Sequence, residues 1–241
     1  MQNNKYNFRT DMADERVDEY KRVNNLSYID GIKIEKDTGS LFDVVTVDVL
    51  NENGKNAVGK EIGKYITIEL KDECILTDGD KESISNLIGE KIKTLMKNIK
   101  ISSVMVVGLG NEYVTPDALG PKVIANVNVT RHALKYLKEL VKPGTKEISA
   151  ISPGVLGMTG IETEEIIEAV IGKVKPDAII VIDSLASMSL SRIGKTIQLG
   201  NTGIVPGAGV GNKRKKLNKE TLGIPVIAIG VPTVVDLRND N

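Results

Sequence analysis

At 241 residues, 41% hydrophobic but only 3% aromatic, the chain is long enough for one large or two modest domains, with a core built from Val, Ile and Leu. Its 32 basic and 32 acidic residues cancel, which excludes a general attraction to nucleic acid or anionic membrane. A single cysteine, Cys74, excludes an internal disulfide and fits a reducing compartment; with one histidine, His132, it also excludes a His-rich or thiolate zinc site.

The first 25 residues are polar and show no apolar stripe, so they read as a tail or a loosely attached helix ahead of one α/β domain over 26–241. Residues 28–70 alternate as strands, "GIKIEK", "LFDVVTVDVL" and "KYITIEL", with a break at "NENG". Ile84, Leu87, Ile88, Ile92, Leu95, Met96 and Ile99 have the spacing of an amphipathic helix over 82–100. A strand–loop–helix pattern then repeats. Strand 103–108 leads to "GLGNEYVTPDALGP" and a helix through about 126; strand 148–152 leads to the Gly-rich "SPGVLGMTG". A helix follows Thr163 and stops at Pro176, and strand 178–182 runs into Asp183 and a helix from Ser184. A Gly-rich stretch over 203–211 precedes a last buried strand, "IPVIAIG". Short apolar strands alternating with helices predict a three-layer α/β/α fold with a mostly parallel sheet, preceded by a β-rich N-terminal portion. No apolar run approaches the ~20 residues of a membrane span and no signal-like segment opens the chain, so the expectation is a soluble intracellular protein.

In such sheets the functional crevice lies beyond the carboxyl ends of the strands. Asp117 sits in the loop after one strand and Asp183 at the end of another, so both belong to that edge together with the Gly-rich turns 153–160 and 203–211. Each has a plainer reading as part of a helix start. Thr115 can cap, Pro116 suits the first helical position, and Asp117 then lies in the first turn; Asp183 can cap a helix from Ser184. Other signals fail. "GKT" at 194–196 lacks the Walker glycine, "GAGVG" at 207–211 is not a dinucleotide fingerprint, and no Gly-x-Ser-x-Gly elbow appears. His132 reads as a surface or packing residue and "NKRKKLNKE" as a solvated basic loop. The two edge aspartates are the leading chemical groups.

"VVGLGNEYVTPDALGP", "SPGVLGMTGIET", "AIIVIDSLAS" and "NTGIVPGAGVGNKRKKLNKETLGIPVIAIGVPTVVD" resemble the germination protease family, in order, over most of residues 101–236, and "RTDMADE" resembles that family's N-terminal "RTDLA" segment. The resemblance implies an atypical aspartic endopeptidase of the forespore or spore core that degrades small acid-soluble DNA-coating proteins. It also implies a self-processing zymogen, a homo-oligomer (a tetramer in the family), and no metal, cofactor, membrane or direct nucleic-acid partner. The family's two essential aspartates fall on Asp117 and Asp183. "GLGNEYVTPDALGP" is also similar to the pattern of hydrogenase maturation endopeptidases, which share the α/β/α fold; their acid helps bind nickel, but no histidine follows His132 here. The family continues into a helical C-terminal region beyond "VPTVVDLRNDN", so the resemblance also leaves open a shortened form that binds substrate or full-length protease without cutting. Ser184 stands where the family usually has alanine.

Two carboxylates can divide general base and general acid work if their protonation states differ. At ~4 Å and an effective dielectric near 20, their repulsion of about 4 kcal/mol would separate the two titrations by about 3 pH units. Asp117, near a helix start, is expected to be the base and Asp183, after a buried strand, the acid, although a wider spacing with one acid only orienting water stays open. Candidate oxyanion donors are Asn111 and the loop glycines Gly154, Gly157 and Gly160. Thr10-Asp11-Met12-Ala13 fits the family's cleavage preference, so self-cleavage between Asp11 and Met12 is expected from a flexible tail, faster at mildly acid pH; the alternative is an ordinary helix start.

Overall fold

The computed structural model describes residues 10–71, 76–205 and 215–235. Cys74, the "GAGVG" run and the first residues of the basic loop lie outside the described residues.

Among the described residues eight strands form one sheet: β1 (Ile32–Thr38), β2 (Phe42–Val49), β3 (Gly63–Leu70), β4 (Ser103–Gly108), β5 (Glu147–Ile151), β6 (Ala178–Ser187), β7 (Thr196–Gly200) and β8 (Val226–Val235). Their order is β1-β2-β3-β7-β8-β6-β4-β5. The half from β8 through β6 and β4 to β5 is parallel, while β1, β2, β3 and β7 pair antiparallel and join β8. This is the α/β architecture expected from the strand–helix alternation, with the β-rich N-terminal portion as its antiparallel half. β7, hidden in "GKTIQLG", joins the halves and was not foreseen as a strand.

The longer helices are α1 (Ala13–Asn24), α3 (Asp78–Leu95) and α7 (Thr163–Val174); the shorter ones are α2 (Glu52–Val58), α4 (Leu119–Ile124), α5 (Arg131–Tyr136), α6 (Leu156–Thr159) and α8 (Lys219–Leu222). Among the described residues no helix is long and apolar enough to cross a membrane.

Side chains alternate across a strand, so each face has its own core. On one face Ile66, Ile68, Leu199 and Ile227 pack with Leu87, Ile88, Ile92 and Leu95 of α3. Thr77 starts that helix with a capping box, accepting from the Asp80 N–H at 3.2 Å while the Asp80 carboxylate accepts from the Thr77 N–H at 2.9 Å. The other face carries two separate clusters. Met105, Val107, Ile179 and Val181 meet Ile167 of α7. Val47, Val49 and Tyr65 meet Ala13 and Val17 of α1, with Val58 of α2. Between these two clusters, among the described residues, the sheet borders a cleft.

Three local expectations are corrected. "NENG" is the start of α2: the Asn51 carboxamide accepts from the Gly54 N–H at 3.0 Å and caps it. No helix begins at Ser184, because residues 184–187 go on pairing with β8, from Ser184 beside Val231 to Ser187 beside Val235. And the segment ahead of residue 26 is not loosely attached from Thr10 onward, since Met12, Ala13 and Val17 are fully buried. Its polar look came from carboxylates that are themselves buried. Asp14 pairs with Arg192 at 2.8 Å, and Glu15 lies 3.5 Å from the same guanidinium.

Candidate active site

The strip of sheet between the two clusters forms the floor of a cleft of about 580 Å³. Gly200 and Ala228 line that floor, on the face opposite Leu199, Ile227 and Ile229, where the first has no side chain and the second only a methyl group. Asp117 enters from the loop beyond β4, Asp183 rises from β6 and Asp11 comes from the segment before α1, so three aspartates line one cleft.

Asp117 is held by a tightly folded loop. Residues Thr115–Asp117 make one 3-10 turn with Pro116 inside it, and no side chain caps it, so the expected Thr115 cap does not form. The Asn111 N–H instead reaches Asp117 twice, at 2.9 Å from a carboxylate oxygen and 3.0 Å from the main-chain oxygen. Gly110 allows this approach. Its φ is +110°, and a Cβ there would stand 2.0 Å from the Asp117 carbonyl oxygen. Behind it Gly108 and Gly120 let α4 rest directly on the end of β4. A bulge in the β6–β8 pairing, where Leu185 faces Pro232 and Ala186 faces Val234, skips Thr233. The Thr233 hydroxyl donates to the Pro116 carbonyl at 2.6 Å and ties the Asp117 loop to the sheet.

Asp183 lies on the face of β6, not past its end, and is only 6% exposed. One of its carboxylate oxygens accepts from the Ser184 N–H at 2.8 Å. Its partner across the sheet is Gly230, where a Cβ would fall 2.4 Å from Leu185.

The segment around Asp11 is docked by hydrogen bonds. The Asp11 N–H donates to the Ala186 carbonyl at 2.9 Å, and its carboxylate accepts from the Ala186 N–H at 2.9 Å. The Gln198 amide spans the next residues: Nε2 donates to the Asp11 carbonyl at 2.9 Å and Oε1 accepts from the Ala13 N–H at 2.6 Å. The Lys60 ammonium donates to the same Asp11 carbonyl. Lys60 keeps part of its side chain exposed, but desolvation of the ammonium, reinforced by Arg16, pushes it down to about 8. Thr10 is buried as well; its hydroxyl donates to the Glu15 carboxylate, and its carbonyl accepts from Arg16 Nε at 2.7 Å.

Of the residues expected from the sequence, Asp117, Asp183, Asn111, Gly154 and Asp11 meet in this cleft. The Asn111 side-chain oxygen accepts from the Tyr113 N–H at 3.0 Å, so it serves its own turn. Gly157 and Gly160 do not line the cleft. The short α6 takes them up, with Gly157 inside it and Gly160, at φ +71°, ending it. Met12, within the docked segment, is fully buried and not offered to solvent. His132 is exposed on α5, away from the cleft. Among the described residues no three His, Cys, Asp or Glu side chains group as a metal site would require. Lys60, Gln198 and Thr233 were missed. Only Gln198 left a trace in the sequence, as the polar residue in the apolar "TIQLG".

The model of the family described as "Germination protease" matches residues 9–239. The chain belongs to the germination protease family. Its segment is 50% identical over 228 residues to the germination protease of Clostridium tetani, covering 95% of this chain and 70% of that one. With the germination protease of Clostridium perfringens it shares 47% over 232 residues, covering 96% and 71%; with that of Priestia megaterium it shares 44% over 238 residues, covering 96% and 64%. Among solved structures, a NiFe hydrogenase maturation protease, HycI from Thermococcus kodakarensis, is similar at 22% identity, with a TM-score of 0.39 over 59% of this chain and 80% of that one. Family membership makes the chain an endopeptidase, and the cleft is the candidate place for its chemistry.

Proposed function

We propose that this chain hydrolyses peptide bonds with Asp117 and Asp183, acts on small acid-soluble spore proteins in the spore core, and is made as a zymogen that cuts itself between Asp11 and Met12. The observation that carries the reading is that both carboxylates line the same cleft as Asp11, the residue before the bond to be cut. Water is a poor nucleophile and an amide nitrogen a poor leaving group, so one carboxylate takes a proton from water while the other gives one to the departing nitrogen. The Asn111 N–H holds one oxygen of Asp117 and the Ser184 N–H one oxygen of Asp183, which fixes the direction of both groups. The docked N-terminal segment, with an acidic residue before the bond and methionine and alanine after it, is the chain's own example of a substrate.

The test is cleavage of a purified small acid-soluble spore protein at mildly acid pH, read by intact mass, with and without a chelator. The proposal expects cuts after acidic residues that persist with chelator. Loss of cutting on chelation would replace the two-aspartate reading with a metal-dependent one, and a chain that binds the substrate without cutting it would overturn the enzymatic reading.

A further inference from the structure

The carbonyl of Asp11 receives two side-chain donors at once, the Lys60 ammonium and the Gln198 carboxamide at 2.9 Å. A cation and an amide N–H aimed at a single carbonyl oxygen is an arrangement that stabilises negative charge developing there. Both donors come from fixed scaffold. Gln198 stands in the middle of β7, and its carboxamide is oriented by a second bond, from the Ala13 N–H. Lys60 follows the end of α2, and its ammonium lies 5.4 Å from the centre of the Tyr65 ring.

We infer that Lys60 and Gln198 form the oxyanion site of this enzyme, polarising the carbonyl of the residue that precedes the cut bond. The inference rests on the proposed cleavage between Asp11 and Met12. In that step water oxygen bonds to the Asp11 carbonyl carbon, the carbonyl π pair moves onto the oxygen, and the two donors hold the resulting oxyanion. Collapse re-forms the carbonyl and breaks the carbon–nitrogen bond; both protons of the water end on the Met12 nitrogen, which leaves as an ammonium, and Asp11 keeps the new carboxylate. The sequence-based candidates for this role, the loop glycines and the Asn111 side chain, are displaced by two residues far from them in the chain. The low proton affinity of Lys60 agrees with an ammonium kept in a poorly solvated site. The charged groups that face it are Arg16 on α1, Asp11 and Asp14.

Three variants separate this role from simple docking of the N-terminal segment. Gln198→Glu keeps an oxygen for the Ala13 N–H but replaces the donor to Asp11 with a carboxylate oxygen. Lys60→Met keeps the apolar stem without the charge, and Lys60→Arg restores the charge. Self-cleavage is followed by intact mass in the full chain, docking by hydrogen exchange at the Ala13 amide, and Asp117→Asn serves as the inactive reference. Gln198→Glu and Lys60→Met should each slow appearance of the Met12 N-terminus by about 10²–10³-fold, the usual effect of deleting one oxyanion donor, while Ala13 stays protected in Gln198→Glu and Lys60→Arg recovers most of the rate. Cleavage at the wild-type rate in Gln198→Glu and Lys60→Met, with Asp117→Asn still inactive, would overturn the oxyanion site and leave the two-aspartate reading standing. Absence of a Met12 N-terminus from the wild-type chain would overturn both.

Discussion

Gly110→Ala should inactivate the enzyme although both aspartates stay in the sequence. The position has φ +110°, and the new Cβ would meet the Asp117 main-chain oxygen at 2.0 Å and a carboxylate oxygen at 3.0 Å, where ordinary contact begins at 3.4 Å. Neither atom is the free end of a flexible side chain. Asp117 is pinned by the Asn111 N–H and its turn by Thr233, so relief requires the loop to move by more than about 1 Å, a displacement that typically costs about 10²-fold in rate. A side chain forced into that region of backbone space adds about 1–3 kcal/mol of strain. For a chain of this length that lowers the melting temperature by about 2–12 °C. Calorimetry on the purified variant, with self-cleavage followed by intact mass, reads both effects. A variant that melts a few degrees lower and cuts at least ~10²-fold more slowly fits the reasoning; one that cuts at the wild-type rate would show that the Asp117 loop is not held as described.

Thr233→Val keeps the side-chain shape but removes the bond to the Pro116 carbonyl, so it should cost about 1 kcal/mol of stability and slow cleavage through the loop; an unchanged rate would free the bulge from that role. Arg192→Met leaves Asp14, Glu15 and Glu69 facing one another around an uncompensated buried charge, and denaturant unfolding should show a loss of about 3–5 kcal/mol, against which a loss near zero would count. Lys60 titrates at about 8 in the folded chain, below the ~10.4 of an unfolded lysine, so between those values the unfolded chain binds more protons and stability rises with pH on this group's account. Lys60→Met should flatten that rise, and equal slopes for the two proteins from about pH 8 to 10 would contradict the assignment.

Much of the fold was legible because buried parallel strands announce themselves. "SVMVV", "AIIVI" and "IPVIAIG" are apolar at nearly every position, the usual pattern of central strands in a parallel sheet. Asp183 was found at the right place for an incomplete reason. A carboxylate after five apolar residues looked like a strand end, yet β6 continues because its last residues still have a pairing partner in β8. That partner is distant in sequence. The same limit hid the role of residues 10–24. Their polar composition is real, but Asp14 and Glu15 are neutralised by Arg192 and the backbone of Asp11–Ala13 is clamped by Gln198, each about 180 residues away. Local pattern shows which residues are apolar; it does not show which polar residues have found buried partners. The Asp117 loop was the converse case. The glycines and proline of "GLGNEYVTPDALGP" do mark a tight turn, although the Asn111 N–H and not a threonine hydroxyl closes it.

The central claim is that Asp117 and Asp183 together cut the bond. Asparagine is nearly isosteric with aspartate, so Asp117→Asn and Asp183→Asn should each fold with the wild-type melting temperature and stay at full mass when incubated near pH 5.5, while the wild-type chain acquires an N-terminus at Met12. Each variant should lose at least the ~10²–10⁴-fold that a general acid or base contributes. A folded Asp183→Asn protein that still releases residues 1–11 at the wild-type rate would contradict the account.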